Sequence, residues 1–573
     1  MIPVVIPSPA GPCHAMYGVG SGPAILFCPS LGDEALRTGR IWRDFAARIG
    51  EHGFATLRFD LPGTGNSSGM PTDPRRVEAW RDAVRACAAW LSPRHEGRVV
   101  LLGHRFGALL AVDAVAGRVD AERLILLDPP ESGASLARHI RARARLSGSA
   151  GVGPRDGDVY IGGMPLSAST LSDVAAMPAP LRDSPPSLLV LDERPGKRSP
   201  WPDRLRSLGG SVDVIPFDGY DAFVGTSPFD VVPPTATFTA IIDHLERKAS
   251  PSRGMVASPP RTSRLAADEC SETPIWFGPG EGMFGILCRP RAPIAGAPAL
   301  LLPTMGIDPC SGMSRMWTDL ARRVAAQGIA SLRFDMRGVG ESAGELGIER
   351  LVAMYRVDRV ADLRHAIDAL EAIGFPQVKI VGYCAGAYAA WHAAIPDRRI
   401  AAILAGNLVY LNFQRSLASE ALTASPGASR IGTERRGLVR LLPSRGLSAL
   451  RQLDDKSRRF VPRRLRVALR GFGTDPRETR QHVKALIARG CAVSLVMAND
   501  DHGHVRLRRA FGERPRLPAG VELTVIDDAD HQFSDPRHRA RFLDLAASFV
   551  LRDQAPARVK TLSQDPSRYL ESA

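Results

Sequence analysis

The chain has 573 residues, which is too long for one hydrophobic core, and at about 150 residues per domain it allows two to four domains. Hydrophobic residues make up 44% and charged residues 23%, which argues against a disordered or membrane-spanning protein. The formal net charge is +14, but 68 of the 74 basic residues are arginine, a bias typical of GC-rich genomes. Only local clusters of charge therefore carry functional information.

The N-terminal segment does not resemble a secretory signal, because the first basic residue is Arg37. No apolar run approaches the ~20 residues of a membrane span, so we expect a cytoplasmic protein without such a span. The eight cysteines form no Cys-x-x-Cys pair, which predicts free thiols rather than disulfides or a metal site. We expect no cofactor.

Short apolar runs alternate with amphipathic segments along the first half, in the order "GPAILFCPSLG", "IWRDFAARIGEHG", "FATLRFDLPGTG", "VEAWRDAVRACAAWLS" and "RVVLLGHRFGALLAVDAVA". This alternation predicts parallel strands joined by helices. The second half repeats it, with "APALLLPTMG", "MWTDLARRVAAQG", "IASLRFDMRGVG", "VADLRHAIDALEAIG" and "VKIVGYCAGAYAAWHAAI". The spacing from Pro29 to Asp60 is 31 residues and that from Pro303 to Asp335 is 32, so the chain contains a duplication.

A stretch rich in proline, serine and arginine separates the two copies and predicts a linker over 247–275. The predicted domains are then 1–246 and 276–552, followed by a C-terminal tail over 553–573.

The segments "GHRFG" and "GYCAG" each follow a buried strand and precede a helix of small residues. This pattern resembles the nucleophile elbow of the α/β-hydrolase superfamily, in which glycines allow a sharp strand-to-helix turn. The resemblance covers both halves. It implies two tandem α/β-hydrolase domains, each a mostly parallel sheet flanked by helices with an inserted helical lid.

In the second elbow the nucleophile position holds Cys384. The resemblance implies an acid and then a histidine further along the chain, and two late apolar runs end in Asp501 and His531, 30 residues apart. Asp501 is favoured over Asp500 because the acid of the family sits in a turn just after its strand. The predicted triad is Cys384, His531 and Asp501, with Asp500 as the alternative acid.

An imidazole and the positive end of the following helix favour the thiolate form of a cysteine at this position. Attack on a thioester or ester then forms an acyl-cysteine. The resemblance implies that two backbone N–H groups bind the oxyanion, one from Ala385 and one from the "PTMGID" loop. Ile307 is the first choice for the second donor, and Met305 is the alternative.

The motif "GYCAG" resembles that of dienelactone hydrolases and polyhydroxyalkanoate synthases, which also use cysteine. The phrases "FGILCRP", "LARRVAAQGIASLRFDMRGVGES" and "DADHQFS" are similar to bacterial serine-aminopeptidase-like α/β-hydrolases of biosynthetic gene clusters. The chain departs from dienelactone hydrolases in its long segment between Cys384 and Asp501, and from the synthases in its additional first half. These resemblances imply an acyl hydrolase or thioesterase, with an acyltransferase or a non-catalytic binding or scaffold protein as alternatives.

The first half departs from the family at the residues that carry the chemistry. Arg105 occupies the nucleophile position and cannot act as a nucleophile, since a guanidinium stays protonated. Asp221 stands where the second half has histidine, while Asp192 remains at the acid position. We therefore predict a pseudoenzyme domain. Arg105 either forms an ion pair with Asp221 or binds an anionic group in a retained pocket.

A lid is predicted over about 407–485, and its core from Phe413 to Arg480 has 16 basic and 6 acidic residues. This segment is either a solvated face or a docking surface for an anionic partner. Coenzyme A or an acidic acyl carrier protein fits such a surface together with an acyl thioester or ester substrate. Nucleic acid is disfavoured, because no recognition motif accompanies the charge.

Overall fold

The structure is a computed structural model, and it describes residues 1–117, 119–146, 157–178, 187–192, 199–225, 229–248, 264–266, 269–345, 353–355, 358–409, 476–512, 515 and 517–552. Parts of the predicted organisation lie outside these residues, namely 249–263 and 267–268 of the linker, 410–475 of the lid, and the tail over 553–573.

The first half contains one large sheet and a small hairpin. Its strands are β1 Ile2–Ile6, β2 Cys13–Gly18, β3 Ala24–Cys28, β4 Ala55–Phe59, β5 Val99–His104, β6 Arg123–Leu127, β7 Val159–Ile161, β8 Met164–Leu166, β9 Ser187–Asp192 and β10 Val212–Pro216. Its helices are α1 Asp33–Glu51, α2 Arg76–Leu91, α3 Phe106–Ala116, α4 Gly133–Leu146, α5 Ala168–Ala175, α6 Trp201–Ser207, α7 Tyr220–Val224 and α8 Thr235–Lys248.

The sheet of the first half has eight strands in the order β1-β2-β4-β3-β5-β6-β9-β10, and β7 pairs only with β8. β1 and β2 are antiparallel to their neighbours. The other six strands of this sheet, β4, β3, β5, β6, β9 and β10, run parallel to one another.

The second half repeats this arrangement in a sheet of nine strands ordered β11-β12-β13-β15-β14-β16-β17-β18-β19. Its strands are β11 Leu265–Ala266, β12 Cys270–Phe277, β13 Met283–Pro290, β14 Ala299–Pro303, β15 Ser331–Phe334, β16 Val378–Tyr383, β17 Ile400–Gly406, β18 Ala492–Ala498 and β19 Val521–Ile526. Its helices are α9 Met316–Ala325, α10 Asp358–Ala372, α11 Ala385–Ala393, α12 Pro476–Ala488, α13 His502–Phe511 and α14 Pro536–Leu551.

The hydrophobic core of each half lies on both faces of its sheet. In the second half, Leu301 and Ile380 pack into one layer, whereas Leu300 and Val381 pack into the other. Successive side chains of a strand point to opposite faces, so a central parallel strand must be apolar throughout. All five residues of β14 are buried, which explains the uninterrupted run "ALLLP". The predicted α/β class follows directly from these runs and is confirmed. Among the described residues, none of the helices has the length and apolar character that crossing a membrane requires.

The predicted linker was wrong at both of its ends. The helix α8 continues to Lys248, and Leu265–Ala266 and Cys270–Phe277 form β11 and β12 of the second sheet. Glu272 interrupts the apolar pattern of β12, yet it is only 2% exposed because Arg322 and Arg333 pair with it at 2.7 and 2.9 Å. The strand could not be predicted from the local sequence, because the arginines that pair with its buried glutamate belong to distant segments of the chain.

The loops after β4 and β15, which carry the repeated phrase, pack against the opposite half. Arg58 donates two hydrogen bonds to Glu341, at 2.9 and 2.6 Å. The equivalent arginine of the other copy, Arg333, donates to Asn66 at 3.1 Å. Asn66 and Glu341 are themselves equivalent positions of the two copies. The two halves therefore meet in a contact with approximate two-fold symmetry.

Candidate active site

Cys384 lies on a sharp turn between β16 and α11, with φ 51° and ψ −115°. This backbone conformation is costly for a residue with a side chain. The flanking glycines are required by space: a Cβ atom at Gly382 would lie 2.7 Å from the Cα atom of Ala387, and one at Gly386 would lie 2.6 Å from the carbonyl oxygen of Thr304. The turn lifts Cys384 above the sheet, and of the eight cysteines it alone is not buried.

The structure brings His531 and Asp501 together at the same edge of the sheet. The Nδ1 atom of His531 hydrogen-bonds to a carboxylate oxygen of Asp501, which is 0% exposed. The other carboxylate oxygen caps α13 by accepting the N–H of Gly503 at 2.6 Å. Asp500, by contrast, is exposed to solvent. Asp501 is thus fixed by two hydrogen bonds, and Asp500 does not take its place.

The surroundings of His531 favour the protonated imidazole. Burial by itself would lower the pKa of His531, but the charge of Cys384 and the hydrogen bonds with Asp501 and Cys384 raise it to about 11. The imidazole therefore lies between the sulfur of Cys384 and the carboxylate of Asp501.

Two residues that the sequence did not single out hold the backbone of His531. The hydroxyl of Tyr383 donates to the carbonyl oxygen of His531, and the amide of Asn407 donates to the same oxygen at 2.8 Å. The side-chain oxygen of Asn407 accepts the N–H of Ala498 at 2.6 Å, which ties the site to β18. Asn407 belongs to this support rather than to the predicted lid. Its place directly after the buried run "IAAILAG" was the signal available in the sequence.

The predicted oxyanion hole of Ala385 and Ile307 is not open in this conformation. The N–H of Ala385 donates to the carbonyl oxygen of Met305 at 3.0 Å, so one of the two expected donors is already occupied. The loop that carries Met305 thus contacts the elbow through a carbonyl oxygen rather than through an N–H group. A Cβ atom at the next residue, Gly306, would meet nothing within 4 Å, so the backbone there has room to move.

Tyr355 is a further neighbour of the candidate nucleophile. Its hydroxyl lies 3.6 Å from the sulfur of Cys384, and its ring packs edge-on against Tyr388 with 5.2 Å between centroids. The surrounding sequence "VAMYR" has no pattern that places this residue near Cys384, since the contact spans 29 positions.

The equivalent site of the first half contains a closed ion-pair cluster. Arg105 has the same backbone conformation as Cys384, with φ 48° and ψ −106°. Its guanidinium lies 3.0 Å from Glu34 and 3.4 Å from Asp128, and the hydroxyl of Tyr220 donates to Asp128 at 2.6 Å.

The expected partner of Arg105 was therefore wrong: Asp221 is exposed, and Tyr220 occupies the space facing the arginine. Because two carboxylates already surround one guanidinium, Arg105 has no spare charge for an anionic ligand. The position of Asp192 at the end of β9 is retained, but its side chain is outside the described part of the protein.

Comparison with known proteins gives the family. The model of the Alpha/beta hydrolase family matches residues 25–269 and again residues 299–545. No curated protein matches the chain.

Solved structures with distant similarity each align with a single domain's length. They include mouse alpha/beta hydrolase domain-containing protein 10, with 17% identity over 43% of this chain and 99% of its own, at a TM-score of 0.31. Ferulic-acid-bound Est1E of Butyrivibrio proteoclasticus has 16% identity over 43% and 98%, at a TM-score of 0.32. The assignment rests on the family model, which matches both halves. The chain belongs to the Alpha/beta hydrolase family and contains two of its domains in tandem.

Proposed function

We propose that the C-terminal half is an acyl hydrolase that cleaves thioesters or esters through an acyl-cysteine on Cys384. The observation that supports this most directly is the placement of the partly accessible Cys384 beside the hydrogen-bonded pair of His531 and Asp501. Cysteine as nucleophile, rather than serine, suits thioester substrates because a thiolate exchanges readily with another thiolate leaving group.

In the proposed reaction the thiolate of Cys384 attacks the carbonyl carbon, and the tetrahedral intermediate expels the thiol or alcohol after His531 donates a proton to it. Water then attacks the acyl-cysteine while His531 accepts its proton. The carboxylic acid leaves, and its departure restores the sulfur of Cys384. Asp501 holds the imidazole in the required orientation throughout.

Binding of the oxyanion requires a local change in this mechanism. The carbonyl of Met305 must leave the N–H of Ala385, so that this amide and that of Ile307 can stabilise the negative charge. The glycine at position 306 has the open space for such a rearrangement. The hydroxyl of Tyr355 lies near enough to the sulfur to donate a hydrogen bond in the same region.

We further propose that the acyl group arrives on coenzyme A or on an acidic acyl carrier protein. This proposal rests on the sequence alone, because the basic stretch from Phe413 to Arg480 lies almost entirely outside the described residues. Exposed arginines attract such anionic carriers over a distance of about 8 Å at physiological salt.

The proposed function is tested by intact-mass analysis after exposure to a panel of acyl thioesters and lactones. We expect an acyl adduct on Cys384 that decays with release of free acid, no adduct in Cys384→Ala, and an unchanged adduct in Cys491→Ala, which removes a buried cysteine of the same domain. Decay that requires an added alcohol or amine would instead identify an acyltransferase. The absence of an adduct with every substrate would contradict the proposal and favour a non-catalytic protein.

A further inference from the structure

A two-residue turn of the first half reaches across to the second half. The hairpin of β7 and β8 pairs Ile161 with Met164, which leaves Gly162 and Gly163 as its turn. Both glycines have positive φ, at 55° and 76°, as tight hairpin turns of this length require. The flanking residues Ile161 and Met164 are each 7% exposed and belong to the core of the first half. The turn is therefore held in place by the first half.

Both carbonyl oxygens of this turn accept hydrogen bonds from side chains of the second half. The hydroxyl of Ser314 donates to Gly162 at 2.8 Å, and the guanidinium of Arg539 donates to Gly163 at 2.7 Å. A Cβ atom at Gly163 would lie 2.4 Å from the Oγ atom of Ser314 and 2.5 Å from a nitrogen atom of Arg539. Glycine is thus required at this position by its φ and by its neighbours.

Arg539 joins this turn to the loop that carries His531. It lies near the start of α14, and a second nitrogen atom of its guanidinium donates to the carbonyl oxygen of Phe533 at 3.3 Å. A guanidinium presents several N–H groups in a rigid, planar arrangement, which suits it to hold two acceptors at once. Arg539 therefore bridges two backbone carbonyl groups, one from each half.

Phe533 closes the turn in which His531 lies. The N–H of Phe533 donates to the carbonyl oxygen of Asp530 at 3.1 Å, so residues 530–533 form a tight turn. Phe533 has a φ of 46°, a conformation that a residue with a side chain keeps only when its surroundings enforce it. The hydrogen bond from Arg539 is one such constraint, because it holds the carbonyl group at the end of the turn.

The side chain of Phe533 also contacts the support of His531. Its ring is 0% exposed and packs edge-on against Tyr383, with 5.8 Å between the ring centroids. Tyr383 in turn donates its hydroxyl to the carbonyl oxygen of His531. A continuous series of contacts thus leads from the turn of the first half, through Arg539, to the backbone of the candidate base.

We propose that Arg539 is a positioning residue for His531, and that the Gly162–Gly163 turn of the first half holds Arg539 in place. The proposal rests on the proposed function, in which the imidazole exchanges protons next to the sulfur of Cys384. A small displacement of such a group slows the reaction strongly, because proton transfer depends on its distance and orientation. The first half thereby acts as a positioning domain for the active site of the second half.

The test uses the full chain and two variants that break the same contact from opposite sides. Arg539→Ala removes the bridging guanidinium, and Gly163→Ala places a methyl group where the guanidinium lies. Each should lower kcat for p-nitrophenyl acetate, a small activated ester, by about tenfold or more while KM changes little. Each should also shift the pH midpoint of Cys384 alkylation by iodoacetamide in the same direction as His531→Ala. A loss of stability alone does not produce that shift.

Two matched variants control for the loss of an arginine and for backbone strain. Arg541→Ala removes an exposed arginine of the same helix. Gly97→Ala puts a side chain on a glycine of the first half with the same φ of 76°, where a Cβ atom would meet nothing within 4 Å. Both should keep the kcat and the labelling midpoint of the parent protein.

The double variant shows whether the turn acts through the arginine. The effects of Arg539→Ala and Gly163→Ala on kcat should overlap, so that the double variant is about as slow as either single variant. Fully additive effects would mean that the turn does not act through Arg539. Calorimetric melting of each variant measures its folding, and Gly163→Ala leaves the sequence of the second half unchanged.

A parental kcat and labelling midpoint in both single variants would overturn the proposal. A lower melting temperature with an unchanged labelling midpoint would overturn it as well, because Arg539 would then have a structural role alone. The proposed function fails on a different result, the absence of an acyl adduct on Cys384 in the parent protein. The labelling midpoints need no acyl substrate and are measured in either case.

Discussion

Cys384 and Arg105 share a backbone conformation but not a chemistry. Their φ angles are 51° and 48°, and both follow a central strand and begin a helix. The turn is therefore a property of the flanking glycines and of the packing between strand and helix. What the turn presents depends on one side chain, and the neighbours have changed with it: His531 faces the cysteine, whereas Glu34 and Asp128 pair with the arginine.

The reactivity of Cys384 depends on His531 and Asp501 if the proposed triad operates. Iodoacetamide should label Cys384 fastest among the eight cysteines and should still do so below pH 7, where an ordinary thiol with a pKa of about 8.5 is mostly protonated. His531→Ala should shift the midpoint of labelling toward that ordinary value, because the protonated imidazole no longer stabilises the thiolate. The measurement is a pH profile of labelling by mass spectrometry.

Two variants of the neighbouring carboxylates serve as a pair. Asp501→Asn should slow turnover strongly, since it alters the tautomer and orientation of the imidazole, whereas Asp500→Asn should leave turnover nearly unchanged at an exposed position. Two results would show that these residues do not act together: a labelling midpoint of Cys384 that is unchanged in His531→Ala, or a larger loss of turnover in Asp500→Asn than in Asp501→Asn.

At the scale of elements, the repeated phrase forms a loop that is held by its own aspartate. A Cβ atom at Gly65 would lie 2.3 Å from the carboxylate of Asp60, and one at Gly340 would lie 2.2 Å from that of Asp335. Both glycines have positive φ, at 49° and 51°. The motif is thus required for a tight loop around a buried carboxylate, which explains its presence in both halves, whatever residue stands at the elbow.

The buried loop carboxylate predicts a dependence of stability on pH. Burial raises the pKa of Asp335 to about 7, whereas an aspartate in the unfolded chain has a pKa of about 3.9. Between these two values the folded state retains a proton that the unfolded state has released. The free energy of unfolding should therefore fall as pH rises from about 4 to about 7, by at most ~4 kcal/mol, and this contribution should then level off.

Denaturant unfolding across this range, compared with Asp335→Asn, isolates the contribution of the carboxylate. The difference between the two proteins should change with pH between about 4 and 7 and stay constant above it. A difference that does not vary with pH would mean that Asp335 is ionised in the folded protein throughout.

At the scale of the whole molecule, the two halves form one body through their equivalent loops. Besides the contacts of Arg58 and Arg333, the hydroxyl of Thr318 donates to the carbonyl oxygen of Gly65 at 3.1 Å, and Arg43 donates to that of Gly340 at 2.8 Å. These contacts again join equivalent positions of the two loops. The first half, whose elbow carries Arg105, is therefore an integral part of the structure.

Breaking the ion pair between the halves should destabilise the whole protein. Arg58→Ala leaves Glu341 without its partner in a mostly buried place, which should cost about 3 kcal/mol. Arg206→Ala removes an exposed pair with Asp203 and should cost less than about 1 kcal/mol. Calorimetric melting of both variants is the measurement, and Arg58→Ala should lower the melting temperature or split the transition in two. Equal melting curves for the two variants would show that the contact between the halves contributes little.

The sequence by itself determined the two-domain α/β fold. Strand and helix periodicity, turn glycines and the spacing of motifs are local features, and each of them occurs in both halves of the chain. The sequence also predicted Cys384, Asp501 and His531, because the family places such residues directly after successive parallel strands, whose ends meet at one edge of the sheet. Their catalytic role stays a prediction.

Only the tertiary structure decided which side chains meet across long distances. It paired Arg105 with Glu34 and Asp128, placed Asn407 under His531, and occupied the N–H of Ala385 with the carbonyl of Met305. It also joined Arg539 to the carbonyl oxygen of Gly163 in the other half. None of these contacts can be predicted from a local pattern, because each joins segments that lie far apart along the chain. The strength of the electrostatic interactions also depends on burial, which is set only when those segments pack together.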